Sequence, residues 1–205
     1  MEHRSDEALW DDVRAGSAES FGALFDRYAD VVYRYALVRL RRADWAEDVV
    51  STVFGEAWRQ RERVDLHDGS LRPWLLGVAR NQANRLWSQQ SRREQRERRA
   101  LAAEEADHAA GVASGVDAAA DLEVVLDAIA ALPDGPRETL VLHVWGELTH
   151  EQIAAELGIS VGTVKSRLNR ARSRLASARG GPAGRRSPSL DVVALFDDEA
   201  AGGGA

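Results

Sequence analysis

The sequence predicts an all-α protein of two small helical domains, a helical bundle and a helix-turn-helix, joined by a flexible acidic linker. Three observations carry this. Apolar residues recur at three- and four-residue intervals, with no sustained strand-like alternation. Capping and breaking residues punctuate the periodic segments. Residues 100–120 are Ala, Glu, Asp and Gly with almost no large apolar side chain, so they cannot bury a core of their own. The 205 residues, 44% hydrophobic and 29% charged, suffice for two small domains of roughly 100 residues each. The expected boundaries are 1–99, 100–120 for the linker, 121–179, and a 180–205 tail.

In the first domain, Phe21, Leu24, Phe25, Tyr28, Val31, Val32 and Tyr35 form one helical stripe, and Trp45, Val49, Val53, Phe54 and Trp58 a second. His67-Asp68-Gly69-Ser70 reads as a turn. Pro73 suits the first turn of a helix from about 71 to the Arg-rich stretch near 93, where its missing N–H costs nothing. The second domain opens with a stripe of Leu122, Val125, Leu126, Ile129 and Leu132, ended by Pro133-Asp134-Gly135-Pro136. Helices over 138–145, 149–157 and 161–178 follow. The tail is rich in Gly, Pro and Ser, with one apolar patch at 190–196 that is expected to be disordered.

Net charge is −6, which alone argues against nucleic acid, but its distribution reverses that reading. Residues 80–99 hold seven Arg against two Glu, and residues 160–179 one Lys and five Arg against no acid. Between them, residues 100–127 hold seven acids and no Lys or Arg. Two basic segments flanking an acidic one make an electrostatic footprint for DNA. The absence of cysteine excludes disulfides, thiolate zinc sites and cysteine nucleophiles. No signal-peptide pattern and no apolar run of membrane-spanning length occur, so a cytoplasmic protein without membrane insertion is expected. His150-Glu151 lacks the second His of a metalloprotease motif, Ala154 standing in its place, and His67, His108 and His143 show no ligand spacing. No metal, cofactor or catalytic residue is expected.

Thr149-His150-Glu151-Gln152 fits a capping box, with Leu148 and Ile153 placed as its hydrophobic staple. Gly158 breaks that helix and Ser160 can cap the next. On the following helix, Val164, Leu168, Ala171 and Leu175 share one stripe, whereas Lys165, Ser166, Asn169, Arg170 and Ser173 lie opposite or beside it. Such a hydrogen-bonding, cationic face suits base edges in a major groove, with Arg167, Arg172 and Arg174 at the sides placed for phosphates. On the helix after Leu71, Leu75, Ala79, Ala83 and Leu86 form the expected core side. The other side presents Trp74, Asn81, Asn84 and Arg85, followed by Arg92 and Arg93. A ring beside amides and guanidinium groups suits unstacked bases, which stack on the ring while their edges are hydrogen-bonded.

These segments resemble an extracytoplasmic-function (ECF) sigma factor, a bacterial transcription initiation subunit with only sigma regions 2 and 4, over nearly the whole chain except the tail. Ser20-Phe21-Gly22-Ala23-Leu24-Phe25-Asp26-Arg27-Tyr28 resembles that family's opening helix. Ala46-Glu47-Asp48-Val49-Val50, Val53-Phe54 and Ala57-Trp58-Arg59 resemble its polymerase-binding helix. Pro73-Trp74-Leu75-Leu76-Gly77-Val78-Ala79-Arg80-Asn81 resembles the segment that recognises the −10 element. Ala131-Leu132-Pro133, Leu148-Thr149 through Leu157-Gly158, and Val161-Gly162-Thr163-Val164-Lys165-Ser166-Arg167-Leu168 resemble region 4. Two positions depart from the family pattern: Ser51-Thr52 replaces a frequent Gln-Glu, and Arg85 stands where an acid or Asn is common.

The resemblance implies a non-enzymatic factor that binds core RNA polymerase and directs promoter-specific initiation. Region 2 would grip the clamp coiled coil of β′ through Asp44, Glu47, Asp48, Phe54 and Arg59. Trp74, Asn81, Asn84, Arg85, Arg92 and Arg93 would hold melted −10 DNA. Region 4 would sit on the β flap and read −35 duplex through Thr163, Lys165, Ser166, Arg167, Asn169 and Arg170. A twenty-residue linker reaches at most ~66–72 Å, against roughly 60 Å for a duplex of under two turns. An anti-sigma factor is a further candidate partner. The competing expectation is a conventional helix-turn-helix regulator of duplex DNA, which leaves the Trp-bearing first domain without a task.

Overall fold

The computed structural model describes residues 4–101 and 126–179. Among them every regular element is a helix, and the one extended pairing is an isolated bridge between His67 and Ser70. The chain divides into two compact units, Met1–Ala113 and Ser114–Ala205. The first contains α1 (Asp6–Arg14), α2 (Ala18–Leu40), α3 (Ala43–Arg59) and α4 (Arg72–Leu101). In the second, a helical segment through 126–130 precedes α5 (Asp134–Val144), α6 (His150–Leu157) and α7 (Val161–Arg179). The predicted linker beyond residue 101, Leu122, Val125 and the 180–205 tail lie outside the described residues.

In the N-terminal unit α2 is the spine, packed against α1, α3 and α4. Its stripe Leu24, Tyr28, Val31, Val32 and Tyr35 is buried against Val49, Val53 and Ala57 of α3 and Leu75, Leu76, Ala79 and Ala83 of α4. Helix α1, which the periodicity did not single out, adds Leu9, Trp10 and Val13 to the same core. Ser5 and Ser17 cap α1 and α2 by accepting the N–H of Ala8 and Ser20 at 3.3 and 3.2 Å. Between α2 and α3 the chain turns on Arg41, which takes the left-handed conformation (φ 57°) usually given to glycine at a helix end.

A buried carboxylate ties this unit together. Asp6, 6% exposed, accepts hydrogen bonds from the Arg27 guanidinium and the Tyr28 hydroxyl on α2, and from the backbone N–H of Leu71 at 2.9 Å. The third of these anchors the entry to α4. The intervening turn uses Asp68 and Gly69, both at positive φ. Burial, and then the bond to Asp6, push the Tyr28 phenol above its ordinary value. The neutral phenol is therefore favoured on folding. Its stabilisation is fully present below about pH 10, the unfolded value, and is lost as pH rises through the raised folded one. Thermal unfolding followed from pH 8 to 12 should show this alkaline loss, and Tyr28→Phe should reduce its slope. An unchanged slope would refute the assignment.

In the C-terminal unit, α5 starts at Asp134, not near 138 as the Pro-Asp-Gly-Pro string suggested. Pro136 lies in the first turn, where a helix N–H has no intrahelical acceptor, so its ring interrupts nothing. Arg137 pairs with Asp134 across that turn, and the Thr139 hydroxyl donates to the Gly135 carbonyl at 2.8 Å. The capping box of α6 forms in full. Thr149 accepts the Gln152 N–H at 3.2 Å, Gln152 accepts the Thr149 N–H at 3.1 Å, and Leu148 and Ile153 are buried. Thr149→Ala should destabilise this unit by about 1 kcal/mol in chemical unfolding; a loss below a few tenths would mean that water replaces the cap. Gly158 (φ +62°) ends α6, and Ser160 accepts the Thr163 N–H at 3.1 Å to start α7. The three-residue connection Gly158-Ile159-Ser160 is that of a helix-turn-helix.

Candidate functional site

Helix α7 carries two opposed faces. Val164, Leu168, Ala171 and Leu175 are buried, packing α7 against α5 and α6. Lys165, Ser166, Asn169, Arg170, Ser173 and Arg174 are exposed, on an arc centred nearly opposite the buried stripe at 100° per residue. With no acid on the helix, that arc presents hydroxyl, amide, ammonium and guanidinium donors to one side. Two of the predicted residues have local tasks. The Thr163 hydroxyl lies 2.9 Å from that of Ser160 at the start of α7, and the Ser166 hydroxyl donates to the Thr163 carbonyl at 3.0 Å. Arg167 is half-buried, its guanidinium laid against Gly135 of α5, so close that a Cβ built on Gly135 would stand 3.1 Å from Cζ. It therefore stands away from the centre of the exposed arc.

On α4, Leu75, Ala79 and Ala83 are fully buried, while Leu86 is half-exposed, because α4 runs on beyond the other helices' cover. Trp74, Val78, Asn81, Arg85, Ser88 and Arg92 follow one another at three- and four-residue steps, forming a stripe away from the core. Trp74 is half-buried, which fixes its ring, whereas Asn81, Arg85 and Arg92 are exposed. Asn84 stands at the flank of this stripe, its side-chain oxygen accepting from the Arg39 guanidinium of α2 at 3.0 Å. Arg93 falls among the residues whose side chains are outside the described set.

The proposed docking residues on α3 divide. Asp44, Glu47, Asp48 and Arg59 are exposed. Asp44 is gripped by Arg42 through bonds of 3.1 and 2.5 Å, which hold its carboxyl below the ordinary value, and Arg42 also lies 4.5 Å over the Trp45 ring. Arg59 pairs with Glu56. Phe54 is a correction: it is 4% exposed, its ring packed 4.7 Å from that of Phe25 and 6.1 Å from that of Phe21, and so it is part of the core, not a contact surface. Phe25 takes the exposed place, at 40%. It lines a groove of about 510 Å³ between α2 and α3 with Asp26, Ala29, Asp30, Tyr33, Glu47, Val50 and Ser51. Periodicity puts Phe25 at the edge of the α2 stripe, about 80° from its centre, and that offset was the available signal.

The structure brings together two histidines that show no ligand spacing in the sequence. The rings of His143 and His150 lie 5.2 Å from each other, and His143 Nδ1 donates to the Leu148 carbonyl at 3.1 Å, closing the α5–α6 connection. Among the described residues no group of three or more His, Cys, Asp or Glu could hold a metal ion, and no helix is long and apolar enough to cross a membrane.

A helical bundle with a ring-and-guanidinium stripe is followed in the same chain by a helix-turn-helix with a donor-lined second helix. Residues 24–93 match Sigma-70 region 2 and residues 122–175 match Sigma-70, region 4. The chain is 34% identical over 157 residues to the ECF RNA polymerase sigma factor SigL of Mycobacterium tuberculosis, covering 76% of this chain and 86% of SigL. Among solved structures it is similar to CnrH in complex with the cytosolic domain of CnrY (TM-score 0.67, 26% identity, 88% of this chain and 100% of that one). It is also similar to RpoE of Bartonella quintana in complex with the anti-sigma factor NepR (TM-score 0.59, 25% identity, 81% and 100%). The chain belongs to the ECF RNA polymerase sigma factors, a family of transcription initiation factors, with sigma regions 2 and 4.

Proposed function

We propose that this sigma factor engages polymerase and promoter through separate surfaces of its two units, and is itself not an enzyme. Residues 1–99 act as the region 2 unit. The groove lined by Phe25, Asp26, Asp30 and Glu47, together with Asp44, Asp48 and Arg59 exposed on the same α3 and with Phe54 packed against Phe25, receives the clamp coiled coil of the β′ subunit. Its mixture of an exposed ring and carboxylates suits an apolar helix with basic flanks. The α4 stripe of Trp74, Asn81, Asn84, Arg85, Arg92 and Arg93 holds the −10 strand. Extruding a base costs a few kcal/mol, and stacking on Trp74 returns about 1–3 kcal/mol of it.

Residues 121–179 act as the region 4 unit, docked on the β flap. Lys165, Ser166, Asn169 and Arg170 read the −35 groove; Thr163 and Arg167 position the start of α7 and meet phosphates. Residues 100–120 connect the two, and the acidic stretch follows the basic cleft of polymerase. Action on the chromosome implies a cytoplasmic protein. The likeness to CnrH and RpoE, both solved in complexes, supports an anti-sigma factor as a further partner.

The observation that carries this reading is the order of the two matched regions in one chain, each presenting its own donor-rich helix face. A duplex-binding regulator needs only the second. Run-off transcription with purified core polymerase tests it: the protein should confer a discrete start site that core alone lacks. Absence of any start-site selection across a promoter library would reject it.

A further inference from the structure

We propose that Arg39 is a positioning residue for promoter reading: it fixes the polarity of the Asn84 amide, so that Asn84 selects a base presenting a carbonyl oxygen over one presenting an amino group. The inference rests on the reading of α4 as the −10 surface. A free asparagine at the edge of a binding face is ambidextrous, because its oxygen accepts, its nitrogen donates, and a rotation of 180° exchanges them. Here the exchange is blocked. Arg39 reaches from α2 and donates through Nη2 to Asn84 Oδ1 at 3.0 Å. A guanidinium has only donors, so the oxygen must face it and the amide nitrogen must point the other way. Both side chains are half-buried, which limits alternative rotamers.

The local backbone reinforces this placement. The Asn84 carbonyl is occupied by the Ser88 hydroxyl at 2.8 Å, and α4 is seated by fully buried Ala79 and Ala83 on the side facing the core. What Asn84 offers along the stripe of Trp74, Asn81 and Arg85 is therefore an N–H donor. Thymine O4 and guanine O6 accept such a donor, whereas the amino groups of adenine and cytosine at the same place meet it donor to donor. Arg39 touches no base in this scheme. It acts through Asn84.

The test is selection from a promoter library randomised over the −10 element, using the full chain with core polymerase and sequencing of the transcripts. The wild-type protein should prefer keto bases at one position by roughly tenfold, as expected of one well-placed hydrogen bond. Arg39→Ala frees the amide to rotate and should flatten that position alone, while Arg39→Lys, which keeps a donor, should restore the preference. Asn84→Asp retains the pairing with Arg39 but presents an acceptor, and should turn the preference toward amino bases. This arm remains informative where Arg39→Ala weakens folding, since melting of each variant is measured alongside. A uniform loss across all sequences in Arg39→Ala, or an unchanged preference in Asn84→Asp, overturns the proposal. Trp74→Ala and Arg85→Ala separate the two levels. If these also leave −10 preferences untouched, the assignment of α4 falls as a whole; if they alter them while the Arg39 and Asn84 variants do not, only the polarity argument falls.

Discussion

Replacing Asp6 by alanine is expected to destabilise the N-terminal unit by about 3–5 kcal/mol, the range for removing one partner from a buried ion pair. The carboxylate answers three donors on two other segments, so its loss strands the Leu71 N–H in the interior and leaves the Tyr28 hydroxyl with Ser70 alone. A folded unit stands only about 5–15 kcal/mol above its unfolded state. Urea unfolding followed by tryptophan fluorescence would show the shift. Asp6→Asn, which keeps an acceptor but adds an opposed donor, should fall between the two. The functional consequence follows from position: Leu71 leads into α4, so loosening it disorganises the Trp74 surface before it affects α7. A loss under about 1 kcal/mol, too small for a buried network of this kind, would show that water substitutes for the carboxylate.

The second large effect is expected on the opposite unit. Lys165→Ala combined with Arg170→Ala should reduce affinity for promoter duplex by roughly 2–6 kcal/mol, at least about thirtyfold, since each removes a charged group worth about 1–3 kcal/mol at the interface. The salt dependence of binding should flatten by about one unit of slope for each phosphate that the variant no longer neutralises. Both side chains are exposed on the arc opposite the buried stripe, where substitutions usually cost within about 0.5 kcal/mol, so the melting temperature should change little. Holoenzyme binding to duplex at 50 and 200 mM salt measures both quantities. Equal affinity in wild type and variant would remove α7 from the interface.

Helix periodicity and capping chemistry are local properties, and what depends on them was legible in the sequence. Val164, Leu168, Ala171 and Leu175 are buried as their spacing requires, and Thr149, Gly158 and Ser160 hold the ends of α6 and α7 as their side chains or backbone freedom allow. Packing between segments was not legible. The Asp6 network joins residues 65 positions apart and leaves no periodic trace. Phe54 and Phe25 illustrate the limit for a site. Both stand in apolar stripes, yet Phe54 is covered by Phe21 and Phe25 while Phe25 remains open to the groove, because the angle between α2 and α3 decides which ring is covered. The same applies to Arg167, whose place on the helix side is legible but whose packing against Gly135 of α5 is not. Proline was misleading at α5 for another reason. A string that breaks a helix interior is compatible with a first turn, and only the start of the following apolar packing distinguishes the two.

The central claim is that one polypeptide, bound to polymerase, reads two separated stretches of promoter with two different helix faces. Selection of active promoters from a library randomised from −40 to the start site tests it most directly. The account predicts two blocks of sequence preference at fixed spacing, the upstream block erased by Lys165→Ala with Arg170→Ala and the downstream block erased by Trp74→Ala. A single block, or two blocks that both survive either set of substitutions, would contradict it.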